Sequence, residues 1–517
     1  MALLRSAATV GSFTLVSRLF GFARDILTAA VLGTGPVADA FFVALRLPNL
    51  FRSLFAEGAF SAAFVPLFAG AVAENGPEAA RRFAEDTLAV LLTALLGFIL
   101  LGEILMPWVM TLIAPGFISD PGKFALVIAL ARITFPYLLF IALVALAAGV
   151  LNSLDRFAAA AATPILLNLS LITALLLSRR FGWRDGHALA WAVGAAGLAQ
   201  FLWLTVCVAR AGLPLRLPRP RLTPQVRHTL ALMAPGALGA GVTQINLLIS
   251  TALASLLPSG SVSYLYYADR LNQLPLGVVG IAVGTAILPA LSRQLRLGET
   301  AGAVATQNRG LELALFLTLP SAVGLIVLAK PLLAVLFQRG AFGPAATAAT
   351  AAALSAYAVG LPGFVLVKVL APGFFARQDT KTPVKIAILA MAVNLTLTLI
   401  LMHPLAHVGI ALATAVAGWV NALCLFAVLR RQRHFGLDRR TRRNLPRVAL
   451  AALLMGLVLV VLRGVLAGPL AGGPLGLRVG ALAALIGAGL ASFALFALLL
   501  GIFDWRTLRS RLGRQPA

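Results

Sequence analysis

Eight basic side chains stand inside stretches that are otherwise apolar enough to cross a bilayer: Arg18, Arg24, Arg46, Arg52, Arg132, Arg270, Lys330 and Lys368. One such charge at the centre of a membrane helix costs about 2.5–3.5 kcal/mol on insertion scales, so each needs a partner, a wet cavity or a route to the interface. A single one is accounted for by snorkelling or by a structural pair. The cluster is harder to dismiss, because the first two apolar segments hold four of the eight, with Asp25, Asp39 and Glu57 beside them. Guanidinium groups bind phosphate and diphosphate bidentately. The chemistry these residues suit is therefore reception of an anionic cargo in a polar chamber.

Helical phase sorts them further. Asp39, Arg46 and Glu57 are separated by seven and eleven residues, spacings that return to one face of a helix, with Arg52 about 120° away. Arg18 and Arg24 are six residues apart and share only a broad face, Asp25 follows directly, and Gly21 between them permits close approach of another backbone. Internal salt bridging, for instance of Asp39 with Arg18 or Arg24, is the plainer reading. Basic groups outnumber acids here, however, and pairing alone would leave arginines unsatisfied at high desolvation cost. Further along, YYADRLNQLP places Asp269 and Arg270 near the start of a later segment. Lys368 joins the basic set, with Glu57, Asp269 and Asn49 as secondary candidates. Lys330 precedes Pro331 and suits snorkelling, whereas Arg132 has no evident acid beside it and no assignment.

Catalytic chemistry finds little support. The five histidines sit at loops or segment ends, and His403 and His407 have Pro404 between them and no glutamate in a metal-site pattern. There is no GxxxxGK[ST] loop and no GxSxG elbow. Cys207 and Cys424 have no CxxC or Cys/His spacing. No enzyme activity, cofactor or metal site is expected.

Composition sets the elements that must position these charges. With 60% hydrophobic and 11% charged residues in 517, and a mean hydropathy of +0.95, the chain is far too apolar for a soluble globular protein. The formal charge of +25 does not indicate a nucleic-acid partner, because there is no long polar domain to carry a basic reading face. The fold class expected is an all-α polytopic membrane protein. Apolar runs of spanning length number about fourteen, beginning at 9–32 and ending at 476–502. The segment at 37–68 is the least apolar, and its Pro48 and Pro66 suit a kinked, cavity-lining helix. The N-terminal segment has no convincing cleavage site and is expected to be retained as the first span. Placing the N-terminus inside puts twenty-seven of the Lys and Arg in inside loops and seven outside, so the positive-inside rule puts both termini in the cytoplasm. The basic run from Arg430 to Arg447 is most simply such a topology signal, with contact to anionic lipid as the lesser reading.

The halves repeat. At an offset of 224 residues Pro107 answers Pro331, Gly116 answers Gly340, Arg46 answers Arg270, and LAAGVLNSLD at 146–155 answers LAPGFFARQD at 370–379; NLSL at Asn168 answers NLTL at Asn394 two residues later. An even number of helices per copy keeps both in the same orientation and predicts two six-helix pseudo-symmetric lobes, with the substrate site between them. The division expected is 1–215 for the first lobe, 216–435 for the second, and 436–517 for two additional helices and a basic tail. If the repeat holds, Arg270 can face Arg46 across the lobes.

Four runs carry a resemblance: RLFGFARD (18–25), ADAFFVALRLPNLFRSLFAEGAFSAAFVP (38–66), YYADRLNQLPLGV (266–278) and FFARQDTKTPVK (374–385). They resemble the MurJ (MviN) family of lipid II flippases, over essentially the whole chain. The resemblance implies the multidrug/oligosaccharidyl-lipid/polysaccharide exporter fold. It implies alternating-access transport of undecaprenyl-diphosphate disaccharide-pentapeptide from the cytoplasmic to the periplasmic leaflet of a bacterial inner membrane, with the peptidoglycan synthesis machinery as a candidate partner. The family's cavity charges map onto Arg18, Arg24, Asp39, Arg52 and Arg270, with Asp25 as neighbour, and its last two helices hold the lipid tail. One departure stands out: 228–268 contains no Asp or Glu, where some members carry a sodium-binding carboxylate. Flippases for other polyprenyl-linked glycans and cation-coupled drug exporters share the fold, although an excess of cavity arginine disfavours a cationic cargo.

Overall fold

The computed structural model describes residues 2–55, 59–183 and 186–502, and no β-strand occurs among them. Glu57, one of the secondary candidates, lies outside the described residues. The helices are α1 (Ala2–Leu32), α2 (Pro36–Ala44), α3 (Arg46–Phe55), α4 (Ala59–Ile113), α5 (Pro121–Thr134), α6 (Tyr137–Ser153), α7 (Phe157–Phe181) and α8 (His187–Arg210). They continue as α9 (Pro224–Ser255), α10 (Ser261–Arg296), α11 (Thr300–Leu336), α12 (Pro344–Phe375), α13 (Lys381–Arg431), α14 (Arg439–Val465), α15 (Ala467–Gly472) and α16 (Leu475–Leu499).

Two of these are helical pairs. The run of α4 is interrupted at Gly76 (φ 79°), just before Pro77, and that of α13 at Ala406 (φ 47°), two residues after Pro404. Proline removes a helix donor and crowds the preceding turn, so each sequence marks its own break. Counting α4 and α13 twice, α2–α3 with the first part of α4 once, and α5–α6 once gives about fourteen passes, as the apolar runs predict. Large apolar side chains such as Leu100, Leu112, Leu457 and Leu490 are exposed. That exposure fits a polytopic protein, whose outer surface meets lipid.

The helix expected over 37–68 with a kink at its prolines is instead divided into separate helices. It breaks at Leu45, and Pro48 supplies the reason: without an N–H it cannot bond the carbonyl of Ala44, four residues earlier. That carbonyl instead accepts from the Thr134 hydroxyl at 3.4 Å. Asp39 and Arg46, for which one helical face is expected, therefore stand on separate helices, α2 and α3.

The chain forms two compact units, Met1–Ser263 with Arg339–Phe342, and Tyr264–Gln338 with the chain from Gly343 onward. The first therefore includes α9, which the sequence repeat assigns to the second half. In the second unit, Leu311, Val365, Val369, Leu425 and Leu429 form a core of α11, α12 and α13. There α14 and α16 pack on α11 through Leu328, Met455, Leu459, Leu485 and Phe493. Gly489 lies 3.3–3.7 Å from Leu459 by its added-Cβ position, the close approach that small residues allow between membrane helices.

Candidate functional site

On α1, Arg24 is held on three nitrogens. Its Nε and Nη2 donate to Asp25 Oδ1 at 3.1 and 2.7 Å, and its Nη1 donates to Asn168 Oδ1 of α7 at 3.0 Å. Asn168 is itself aimed by Nδ2, which donates to the Ser17 carbonyl at 3.0 Å. Neighbouring helix positions do not normally face one another; Arg24 reaches Asp25 because its long side chain folds back. Gly21 lies beside this amide: a Cβ there would be in ordinary contact with Asn168 Nδ2 at 3.5 Å. Asp25 is buried and Arg24 nearly so, whereas Arg18, six residues earlier, is exposed. Arg24 and Asp25 together are neutral, which is what a low-dielectric setting favours.

Asp39 has a different environment from the one expected. It pairs with neither Arg18 nor Arg24. Its Oδ2 accepts from Lys123 Nζ at 2.9 Å and the Gly260 N–H at 2.7 Å, and its Oδ1 accepts from the Ser263 N–H at 2.9 Å and hydroxyl at 2.6 Å. Lys123 Nζ also donates to Ser259 Oγ at 3.1 Å and lies 4.0 Å from the centre of the Phe117 ring. The side chains of Asp39 and Lys123 are 1% and 7% exposed. The carboxylate thus takes up the orphan N–H groups at the start of α10, where a negative charge also complements the helix dipole. It fastens α2, α5 and the α9–α10 turn, and its oxygens are occupied by protein donors.

Lys123, one of the seven basic residues that the loop assignment puts outside, was not singled out from the sequence. A signal was available: Ser263 is the position 224 residues after Asp39, so this contact joins equivalent positions of the repeat. A second pair of equivalents meets nearby. The Gly116 N–H donates to Ser255 Oγ at 3.1 Å at the end of α9, and the Ala341 N–H, beside Gly340, donates to the Ala30 carbonyl near the end of α1 at 2.9 Å. A Cβ on Gly116 would lie 2.1 Å from the Ser255 carbonyl oxygen, and one on Gly340 2.2 Å from that of Ala30. In each half, then, the turn after the third pass seats on the end of the other half's first helix.

On α3, Arg46 and Arg52 are half-buried and Asn49 is exposed. Three-residue steps keep the three within one arc of about 120°. Phe51 packs edge-on against Phe98 and Phe135, and Ser53 Oγ accepts from Gln244 Nε2 of α9 at 3.0 Å, which fixes the helix that carries them. In the second unit, Arg270 donates from Nη2 to the Tyr266 hydroxyl at 3.0 Å, with its guanidinium carbon 4.7 Å from the centre of that ring. Asp269 accepts from Gln273 Nε2. Lys368 of α12 is exposed, and its aliphatic stem lies against α10 at Gly280, where a Cβ would come within 2.8 Å of Lys368 Cδ. Arg46 and Arg270 fall in different units.

Two residues without a role in the basic set are also placed. Arg132 donates weakly from Nε to the backbone carbonyl of Glu103 on α4 at 3.3 Å, a partner that linear sequence did not reveal. Lys330 is exposed. Among the described residues, no three His, Cys, Asp or Glu side chains gather closely enough to hold a metal ion.

Comparison with known proteins is consistent with this architecture. A family profile described as "Lipid II flippase MurJ" matches residues 28–475. The chain is 50% identical over 508 residues to a "Probable lipid II flippase MurJ" of Rhizobium meliloti (strain 1021), covering 97% of this chain and 94% of that one. It is 39% identical to the "Lipid II flippase MurJ" of Burkholderia cenocepacia, with 84% of each chain covered. Among solved structures, "Lipid II flippase MurJ, inward closed conformation" matches with a TM-score of 0.79 at 27% identity, over 96% of this chain and 99% of that one. An inward-facing multidrug resistance MATE family transporter of the MOP superfamily matches with a TM-score of 0.67 at 15% identity, covering 82% of this chain and 98% of the other, a likeness of fold alone.

Proposed function

The chain belongs to the MurJ family of lipid II flippases, and from that membership we propose that it carries lipid II from the cytoplasmic to the periplasmic leaflet of a bacterial inner membrane. The family match over residues 28–475 is the observation that carries this reading. The arrangement around Arg24 supports it physically. An arginine on a membrane helix is tolerable while Asp25 and Asn168 satisfy it, and a diphosphate can exchange for that carboxylate because its oxygens can accept from the same guanidinium nitrogens and carry more charge. We assign the head group to Arg18, Arg24, Arg46 and Arg52 in the first unit and to Arg270 and Lys368 in the second. Asp39 serves instead to hold α2, α5 and the α9–α10 turn together. Both termini lie on the cytoplasmic side in this reading, and transport proceeds by alternating access while the prenyl tail stays in lipid.

The test is translocation by purified protein in liposomes, comparing lipid II with other prenyl-diphosphate sugars, together with rescue of a flippase-depleted bacterium. Lipid II should be moved in preference to the others, and Arg24→Ala and Arg270→Ala should fail to rescue growth at normal membrane levels. Full rescue by both would remove the site assignment, and equal transport of every prenyl-diphosphate sugar would remove the substrate.

A further inference from the structure

Beside the seat of Gly340 on α1 lies a cavity of about 600 Å³ that the transport reading does not use. Its apolar wall is built by Leu27 and Val31 of α1 and by Leu175 and Leu176 of α7, and two guanidinium-bearing residues, Arg179 and Arg339, line it. No carboxylate lines it among the described residues. The two arginines come from separate segments whose placement is fixed. Arg179 stands in the last turn of α7. Arg339 is held by the turn that follows it, where Gly340 takes φ 58° and the Ala341 N–H bonds the Ala30 carbonyl at 2.9 Å.

The surroundings are those of a membrane interface. Just past Arg179, Phe181 and Trp183 stack with centroids 5.2 Å apart, 61% and 52% exposed. Exposed aromatic rings at the end of an apolar helix mark headgroup level. Leu176, on the cavity wall, is half exposed on the turn before. Cations paired with an apolar wall select a molecule with an anionic head and a hydrocarbon chain, and free phosphate would leave the leucines unused.

We propose that this cavity seats an anionic glycerophospholipid, its phosphate between Arg179 and Arg339 and one acyl chain along Leu27, Val31, Leu175 and Leu176. The site is independent of the cargo reading, since none of its residues belongs to the basic set assigned to the head group. Every residue lining it, the Arg339 turn included, belongs to the first compact unit.

Native mass spectrometry of the full-length protein, titrated with phosphatidylglycerol, phosphatidylethanolamine or inorganic phosphate, tests this. The wild type should retain phosphatidylglycerol in preference to phosphatidylethanolamine, and phosphatidylglycerol should raise its melting temperature. Each of Arg179→Ala and Arg339→Ala should weaken retention by roughly fivefold, the effect expected for one interfacial basic residue. Leu176→Trp, which fills the cavity and keeps both arginines, should also weaken it, and it serves if the arginine variants do not fold. Unchanged retention in the folded variants overturns the proposal. So do equal retention of phosphatidylethanolamine, or displacement of the lipid by millimolar inorganic phosphate, the last meaning a phosphate site only.

Discussion

Lys123 and Asp39, eighty-four residues apart in sequence, form a 2.9 Å ion pair with both side chains more than nine-tenths buried. Removing one member of such a pair leaves an uncompensated buried charge, at a cost of about 3–5 kcal/mol. The two losses are unequal here, because Asp39 has three other close donors in Gly260 and the two groups of Ser263. Asp39→Ala should therefore lower the melting temperature and the membrane yield more than Lys123→Met does, as read by fluorescence-detected size exclusion after heating. The reverse order, or an Asp39→Ala protein as stable as the wild type, would show that the carboxylate does not fasten the start of α10.

The second prediction concerns aim rather than stability. Asn168 takes Arg24 Nη1 on Oδ1 and bonds the Ser17 carbonyl through Nδ2, so Asn168→Ala releases one nitrogen of the guanidinium and the support behind it. A hydrogen bond to a charged group contributes about 1.5–3 kcal/mol. Transport by purified protein should fall by about tenfold or more, beyond what a modest drop in melting temperature accounts for, and Asn168→Gln should not restore it because the longer amide cannot keep both contacts. A variant that transports as fast as the wild type would mean that Asn168 merely fills space on α7.

Most of the fold is legible in the sequence because lipid imposes a simple rule on it. Backbone groups must be satisfied inside each span, so apolar length and proline punctuation locate the passes, including the breaks at Gly76 and beside Pro404. The break at Leu45 is not read so readily, since a proline near the start of a helix is as compatible with a kink as with a new helix. Composition also identifies Arg24 and Arg270 as unusual, but not their partners. Asn168 is neutral and lies on a distant helix, and Tyr266 is one turn before Arg270 in a segment rich in tyrosine. Lys123 is misread for the opposite reason. It stands three residues after Asp120, which caps α5, and so looks like an ordinary loop lysine, whereas folding buries it against Asp39.

The reciprocal turns give a third prediction. A methyl group at Gly116 or Gly340 would come within 2.1–2.2 Å of a backbone carbonyl oxygen, and at Gly340 the backbone is also left-handed. Neither obstacle is a flexible side chain that can move aside. Gly116→Ala and Gly340→Ala should each destabilise the protein by an amount in the range of about 1–3 kcal/mol typical of overpacking and strained backbone. Gly324→Ala, inside α11 with nothing within 4 Å of its added Cβ, should be neutral or slightly stabilising, because alanine is the better helix former. Equal melting temperatures for all three variants would argue against a fixed seat for these turns.

The last prediction is a pH dependence at the start of α13. The Thr382 hydroxyl hydrogen-bonds the Asp379 carboxylate and the Thr382 N–H donates to its Oδ1 at 2.9 Å; together they hold its pKa below the ordinary carboxylate value, with Lys385 adding to the effect. A carboxylate whose folded pKa is depressed binds fewer protons folded than unfolded, so it stabilises the folded state above the unfolded pKa of about 3.9. That contribution is lost as pH falls through the lower folded value. Asp379→Asn should therefore melt below the wild type at pH 6, and the gap should narrow once pH falls below the ordinary carboxylate value and through the lower folded one. The carboxylate is largely open to solvent, so salt will shrink the charge-dependent part of the gap and leave the hydrogen-bond part. A gap that stays constant across this range would mean that Asp379 acts through its shape and not through its charge.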